Sequence, residues 1–399
     1  MFHDDMTSSE PNGTRHSGNH HSPSLLQKRE AVVGSSSDVG QRVLAFIPAH
    51  NEQELLPDAI RSILTQTVSA TSICVISDNS TDRTVEIANS WGSRVHSVET
   101  VGNRHMKAGA LNQVLSHLED DDETVVLVMD ADSRITSSFI ESALNALASP
   151  KVGAVGGIFV GDGQNGLLGA VQGLEYVRYA REIGRSRAKA RVLTGTATVT
   201  RLGVLREIAA ARTAGRLPGH GIYNYDALTE DFCLTLAIKS LGYLCVSPKE
   251  CLVVTETMAD IPSLWRQRVR WQRGAIQALH SYGVSRITIP YAVRQIETGV
   301  GILAVTVLWT LTIWSLLMGQ FAFHPAWLCI GAIFQLERIV SGWRADMKGR
   351  VIAATMLGDM AYDLFIGFVY VWVWIQSLFR TRMVWGNITI DAARQKESH

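Results

Sequence analysis

A chain of 399 residues is long enough for two or three domains. Its 37 basic and 37 acidic residues cancel, so overall charge argues for no nucleic-acid partner. The five cysteines (Cys74, Cys233, Cys245, Cys251, Cys329) lack metal-ligand spacing and read as reduced thiols, the last in an apolar C-terminal region. No charged start followed by an apolar run opens the chain, so no signal peptide is expected.

Residues 1–42 are rich in Ser, Gly, Asn and His and cannot offset the entropy of ordering their backbone, so they are expected to be a disordered tail. His20-His21 reads as part of that tail rather than a metal site. Order begins with a strand, Val43–Ile47, ending in Pro48-Ala-His-Asn-Glu52. A helix over about Glu54–Thr65 follows, with Leu55, Leu56, Ala59, Ile60 and Ile63 at helical spacing. A second strand, Ile73–Ile76, ends in Ser77-Asp-Asn-Ser-Thr-Asp82, a cluster able to cap a helix from about Arg83 to Ser90. A weaker third strand, Ser93–Val98, precedes Lys107-Ala-Gly-Ala-Leu-Asn112, which opens another helix.

Val125-Val-Leu-Val-Met129 reads as a strand buried on both faces, because no polar residue alternates with the apolar ones. It delivers Asp130 and Asp132 to its C-terminal edge, where open α/β sheets place ligands. Two carboxylates there suit a hard divalent cation, and a cation there suits a diphosphate. The plainer alternative is a surface turn in which Asp132 caps a helix through Ser133. Strands alternating with helices up to this point indicate an α/β fold with a parallel, doubly wound sheet.

Residues 150–260 are less regular. Val152–Val160 reads as a strand, Leu167–Arg187 as a helix, and Arg191–Thr200 as a strand broken by Gly195, which suggests close backbone approach. A helix over Ala227–Leu241 carries Thr229-Glu-Asp231 near its first turn, where the helix dipole favours carboxylates. Residues 261–294 hold six arginines and no acid, interleaved with Trp265, Val269, Trp271, Ile276 and Leu279, as in a helix lying on an anionic membrane surface. In Gln267-Arg-Val-Arg-Trp271, helical geometry puts Gln267, Arg270 and Trp271 on one face. An ordinary amphipathic helix does the same.

Thr298–Phe323 is uncharged and reads as a membrane span, being about 39 Å long as a helix against a ~30 Å hydrocarbon core. Pro325–Val340 is shorter and carries Glu337 and Arg338. Val351–Phe379 contains Asp359 and Asp363, which share a helix face. A carboxylate at mid-bilayer costs about 2.5–3.5 kcal/mol, so these two are expected at the interface or facing the bundle. A third full span would put Arg380 and Arg382 outside, against the positive-inside rule, so 351–379 is either an exception or partly interfacial.

From about Val43 to Trp271 the chain resembles the membrane-embedded, processive family 2 glycosyltransferases, relatives of cellulose, hyaluronan, chitin-oligosaccharide and poly-N-acetylglucosamine synthases. Six landmarks appear in family order: Pro48-Ala-His-Asn-Glu, Asp78, Lys107-Ala-Gly-Ala-Leu-Asn, Asp130-Ala-Asp132, Thr229-Glu-Asp231 and Gln267-Arg-Val-Arg-Trp271. One Asp-x-Asp is weak; the ordered set is specific.

The resemblance implies a GT-A fold over 43–260, interfacial helices over 261–295, a membrane region of two or three helices over 296–380 and a tail over 381–399. It implies a nucleotide-sugar donor, usually UDP-linked, a glycan acceptor, and Mg²⁺ or Mn²⁺, with chemistry at the cytoplasmic membrane face. By position, Ala49, His50 and Glu52 would line the nucleotide pocket and Asp78 would contact uridine. Lys107 would sit near the diphosphate, Asp130 on the nucleotide, and Asp132 on the metal. Asp231 would be the general base, and Gln267, Arg270 and Trp271 would hold the diphosphate and the acceptor sugar. Each role suits its chemistry, since positive charge stabilises a leaving diphosphate and a carboxylate can take the acceptor proton.

Plainer alternatives stand beside these. Lys107 has a lesser reading as a solvated lysine at a helix start, Asp78 as a helix cap, and Trp271 as a membrane anchor. No span precedes the catalytic region, and three short spans make a narrow channel for a long polymer. A processive synthase of a β-linked glycan therefore stands beside a non-processive transferase to a lipid or protein. A catalytically silent nucleotide-binding protein is a third reading, against which Asp132 and Asp231 argue. An oligomer remains open.

Overall fold

The structure is a computed structural model that describes residues 41–163, 166–320, 326–355 and 357–379, with the backbone of 384–385 and 388–389. The expected tail, all but its last two residues, lies outside the described residues, as do the 321–325 turn, Arg380 and Arg382.

The first half runs β1 (Val43–Ala49), α1 (Leu56–Leu64), β2 (Ser72–Ser77), α2 (Thr84–Asn89), β3 (Val95–Glu99), α3 (Met106–Leu115) and β4 (Val125–Met129). Then come β5 (Ser133–Ile135), α4 (Phe139–Leu147), β6 (Val152–Gly156), β7 (Ile158–Gly161), α5 (Gly166–Arg185), β8 (Ala197–Arg201) and α6 (Leu202–Thr213). α7 (Glu230–Ser240), β9 (Leu244–Val246) and β10 (Leu252–Thr255) close the sheet region. Five helices follow: α8 (Ile261–Tyr282), α9 (Ile289–Leu317), α10 (Ala326–Gly342), α11 (Met347–Thr355) and α12 (Leu357–Leu378).

A seven-stranded sheet has the order β3-β2-β1-β4-β8-β6-β9. β1 to β4 are mutually parallel, as the alternation of strands and helices predicts, but β8 runs antiparallel to both β4 and β6. The sheet is therefore mixed rather than wholly parallel. All five residues of β4 are buried, and they alternate between two cores. Val125, Leu127 and Met129 face the side covered by α1 and α4, with Ile60 and Phe139. Val126 and Val128 face the side covered by α3, α6 and α7, with Leu111, Leu205 and Ile238. An unbroken apolar run at the sheet centre is the sequence form of that double burial.

Two expected strands change shape. Val152–Val160 is two strands, because the chain leaves the main sheet at Gly157, where a Cβ would lie 2.1 Å from a Val253 methyl. β7 then joins β5 and β10 in a second, three-stranded sheet. The Arg191–Thr200 strand begins only at Ala197, leaving Gly195 in a loop.

Two helices, Ile289–Leu317 and Gly358–Leu378, are long and apolar enough to cross a membrane. The basic run over 261–294 is divided, since Arg294 belongs to the first turns of α9. The stretch 351–379 is also divided, and α11 packs against α5 through Ile352 and Ala353 on Ala170, Val171 and Leu174.

α5 is a charged spine to which the C-terminal helices attach. Glu175 accepts hydrogen bonds from Arg268 of α8 and Tyr362 of α12, both at 2.6 Å. Arg178 donates to both carboxylate oxygens of Asp359 at 2.8 and 2.5 Å, and Glu182 accepts from Arg294 of α9 at 2.9 Å. Asp359 is only 1% exposed, and Arg338 of α10 reaches it at 3.3 Å. This buried carboxylate is thus matched by an arginine of the sheet region.

Removing one member of a buried ion pair strands its partner, at about 3–5 kcal/mol. Asp359→Ala is therefore expected to lower the unfolding midpoint in detergent strongly. Asp363→Ala breaks the pair of Asp363 with Arg338, in which the aspartate is 54% exposed, and is expected to cost no more than about 1 kcal/mol.

Candidate active site

The ends of β1 and β2 are locked together. Asp78 donates its N–H to the Ala49 carbonyl at 2.8 Å, and His50 Nδ1 donates to the Asp78 carbonyl at 2.6 Å. Asn51 adopts a left-handed conformation (φ 57°), and its side chain accepts from the Thr81 N–H at 2.8 Å. The Asp78 carboxylate accepts from Thr100 at 2.8 Å and from Asn79 and Asn103 at 2.9 Å. It does not cap α2; Asp82, one residue before the cap position, accepts from the Thr84 N–H at 3.0 Å. Gly109 gives Asn103 its place, since a Cβ there would lie 1.9 Å from the Asn103 oxygen.

At the end of β4 the chain turns into the second sheet, so Asp130 and Asp132 lie at the junction of the two sheets. No helix follows Asp132, which excludes its reading as a cap; its Oδ1 accepts from the Ser133 hydroxyl at 3.0 Å. Asp130 pairs with Lys107, Nζ to Oδ1 2.6 Å. Lys107 also reaches Glu230 at 3.1 Å and donates to the Gly195 carbonyl at 2.9 Å. It is no solvated lysine. Burial works against its charge, yet Asp130 and Glu230 hold the ammonium's pKa above its ordinary value.

Glu230 stands inside the Thr229-Glu-Asp231 motif, whose implied role falls on Asp231 alone. Burial pushes its pKa up, but Lys107 outweighs this and holds the carboxyl below its ordinary value. Its neighbour Asp231 behaves oppositely. Burial and the Glu230 charge push Asp231 up to about 6 against the opposing pull of Lys107. Asp231 Oδ1 accepts from the Phe232 N–H at 2.7 Å and Oδ2 from the Gly195 N–H at 3.2 Å. Gly195 therefore touches Lys107 with its carbonyl and Asp231 with its N–H.

Arg270 is close enough to lower the pKa of both Glu230 and Asp231. Gln267 Oε1 is buried and, among the described residues, has no hydrogen-bond partner. Trp271 and Asp231 line one cavity of about 330 Å³, with Phe232, Tyr176 and Tyr179 and with Tyr291 of α9. Arg268, at a position passed over in the sequence, stacks its guanidinium 4.3 Å from the Trp271 ring centre while bonded to Glu175 and Tyr362. Only three-dimensional packing shows that contact.

Glu52 is pushed up to about 7 by burial and then by Asp132 and Asp130, so negative charge is locally in excess. That excess fits a cation beside Asp132. Among the described residues, however, no group of three or more His, Cys, Asp or Glu side chains is placed to enclose one. A cation here would rest on Asp132 and take its remaining ligands from phosphate oxygens and water, as Mg²⁺ commonly does.

The fold is that of a glycosyltransferase of the GT-A type. Residues 45–209 match the model of glycosyl transferase family 2, so the chain carries a family 2 glycosyltransferase domain. It is 27% identical over 261 residues to the poly-β-1,6-N-acetyl-D-glucosamine synthase of Staphylococcus epidermidis, covering 63% of this chain and 58% of that one. The enzyme of the same name in Staphylococcus aureus strain COL is 27% identical over 246 residues, 59% of this chain and 54% of the relative. The chain thus spans less than two thirds of the curated relatives it matches. A solved mannosyltransferase of Pyrobaculum calidifontis, in complex with GDP-mannose and Mn²⁺, superposes with a TM-score of 0.55 at 17% identity, over 89% of this chain and 94% of that one.

A Cβ at Gly195 would lie 3.3 Å from Asp231 Oδ2, so Gly195→Ala must displace the carboxylate. The substitution is expected to lower kcat for sugar transfer by about tenfold or more while leaving the donor KM nearly unchanged, read by steady-state kinetics.

Proposed function

We propose that the protein transfers a sugar from a nucleotide-sugar donor, UDP-linked, to a growing β-linked glycan with inversion at the anomeric carbon. The observation that carries this reading is the Lys107 contact set. It joins Asp130 to Glu230 and, through the two backbone groups of Gly195, to Asp231, which supports a donor site beside a base. The staphylococcal relatives, named for synthesis of a β-1,6-linked polymer, support the product class. The mannosyltransferase bound to GDP-mannose and Mn²⁺ is in keeping with a nucleotide-sugar donor and a divalent metal, Mg²⁺ or Mn²⁺.

In this reading Ala49, His50 and Glu52 line the nucleotide pocket, Asp78 contacts the uracil end and Asp130 the nucleotide. Asp132 holds the metal, which when bound supplies positive charge to the leaving diphosphate. Lys107 and Arg270 add fixed positive charge on the protein side, and Gln267, on the same helix as Arg270, adds an amide donor. Trp271 offers its free face to the acceptor sugar. Asp231 takes the proton from the acceptor hydroxyl as that oxygen bonds to the sugar's C1. The C1–O bond to the diphosphate breaks, and the nucleoside diphosphate leaves with the electron pair. Direct displacement on an α-linked donor gives a β-linkage.

Residues 43–260 form the catalytic unit in this account, 261–295 lie at the cytoplasmic membrane face, and α9 and α12 cross the bilayer.

Nucleotide release from a panel of nucleotide sugars, in nanodiscs with Mg²⁺, Mn²⁺ or chelator, tests the reading. Turnover of one donor that stops with chelator and in Asp132→Ala is expected; equal turnover in chelator contradicts it. The base is active as a carboxylate, so with its pKa at about 6 the rate falls as pH drops through 6 and is level above. Asp231→Asn is expected to lower kcat about 10²–10⁴-fold and to remove that acid limb.

A further inference from the structure

Trp271 lines the cavity that holds Asp231, and Arg268 stands outside that lining. The guanidinium carbon of Arg268 lies 4.3 Å from the Trp271 ring centre, so the indole rests on it. Arg268 itself is only 4% exposed. Its Nη2 meets Glu175 at 2.6 Å, and its Nε and Nη2 donate to the Tyr362 hydroxyl at 3.2 and 3.0 Å. That hydroxyl donates in turn to the same Glu175 oxygen at 2.6 Å. The three groups close a triangle, one each from α8, α5 and α12. A guanidinium is a planar fork, so holding Nε and Nη2 fixes the plane of the whole group. The indole packed over it is fixed with it.

Docking of the helices does not require this triangle. α8 and α12 already share an apolar contact, Val269 with Val369 and Val373, flanked by Trp265 edge-on to Phe365. α5 and α12 are joined one turn away by Arg178 and Asp359, three residues from Glu175 and Tyr362 respectively. A buried ion pair is also commonly no more stabilising than apolar residues of the same volume. What the triangle supplies is an orientation.

We propose that Arg268, Glu175 and Tyr362 are positioning residues for acceptor recognition, acting through Trp271. They set the plane of the indole against which the acceptor sugar lies. α12, a helix long and apolar enough to cross a membrane, thereby takes part in holding the acceptor through one hydroxyl. The inference rests on Trp271 meeting the acceptor sugar.

The test uses the full chain, the nucleotide sugar it turns over and a soluble β-linked disaccharide as acceptor. Fluorine NMR of protein labelled with 5-fluorotryptophan, in detergent, follows the ring; Trp271→Phe assigns its resonance. Tyr362→Phe and Arg268→Lys are expected to move that resonance and raise the acceptor KM by about five- to tenfold. The donor KM and the rate of donor hydrolysis without acceptor stay within about twofold of wild type. Asp363→Ala, which loosens α12 from α10 without touching the triangle, is expected to change neither readout. If Arg268→Lys fails to fold, Tyr362→Phe decides alone. An unmoved resonance or an unchanged acceptor KM in Tyr362→Phe overturns the inference, as does an equal change in Asp363→Ala. An acceptor KM that is unchanged in Trp271→Ala overturns the role of the ring and the inference with it.

Discussion

One ammonium group holds the candidate site together. Lys107 is drawn from α3 into a place 21% exposed, where it meets a carboxylate from the end of β4, a carboxylate from the first turn of α7 and a backbone carbonyl. Without it, Asp130 and Glu230 would face each other across a poorly solvated gap, with Asp231 beside them. Like charges so close cannot all stay ionised. With it, charge is divided: Glu230 is held ionised, while Asp231 keeps a raised pKa close to that wanted of a base working near neutrality. Two adjacent residues thus differ in charge state because only one of them forms an ion pair with the lysine.

A second polar system, on α5, fixes the helices that follow the sheet region. Through Glu175, Arg178 and Glu182 it binds α8, α12 and α9. The link reaches the acceptor side by Arg268, which rests on Trp271 while bonded to Glu175 and Tyr362. The ring is therefore oriented by groups on α5 and α12, so the position of an apolar helix bears directly on the cavity beside Asp231. A catalytic unit cut away from α12 would lose one of the two groups bonded to Arg268.

Much of this was legible in the sequence, and the reasons are local. The unbroken apolar run 125–129 could only be a strand covered on both faces, and polar clusters at strand ends could only fall at one edge of the sheet. Asp78 and Asp130 could be named because motif order and strand ends coincide there, and Lys107 and Asp231 because their motifs open helices. What escaped depends on contacts between distant segments. The break at Gly157 arises from how closely Val253 of the second sheet approaches, and the reversal of β8 is a pairing between distant segments. Arg268 lies on the turn that carries Gln267 and Trp271 and differs from them only in facing α5. Glu230 needed the position of Lys107 to show its purpose. Asp359 read as a costly charge in an apolar helix because its partner, Arg178, lies 181 residues earlier.

The central claim is a single displacement in which Asp231 deprotonates the acceptor while the nucleoside diphosphate departs from the opposite face of the sugar. Proton NMR of the first-formed product, made from an α-linked nucleotide sugar, reads the outcome directly from the anomeric coupling. A β-linked product is the result this account requires. An α-linked product would contradict it and remove Asp231 from its assigned role.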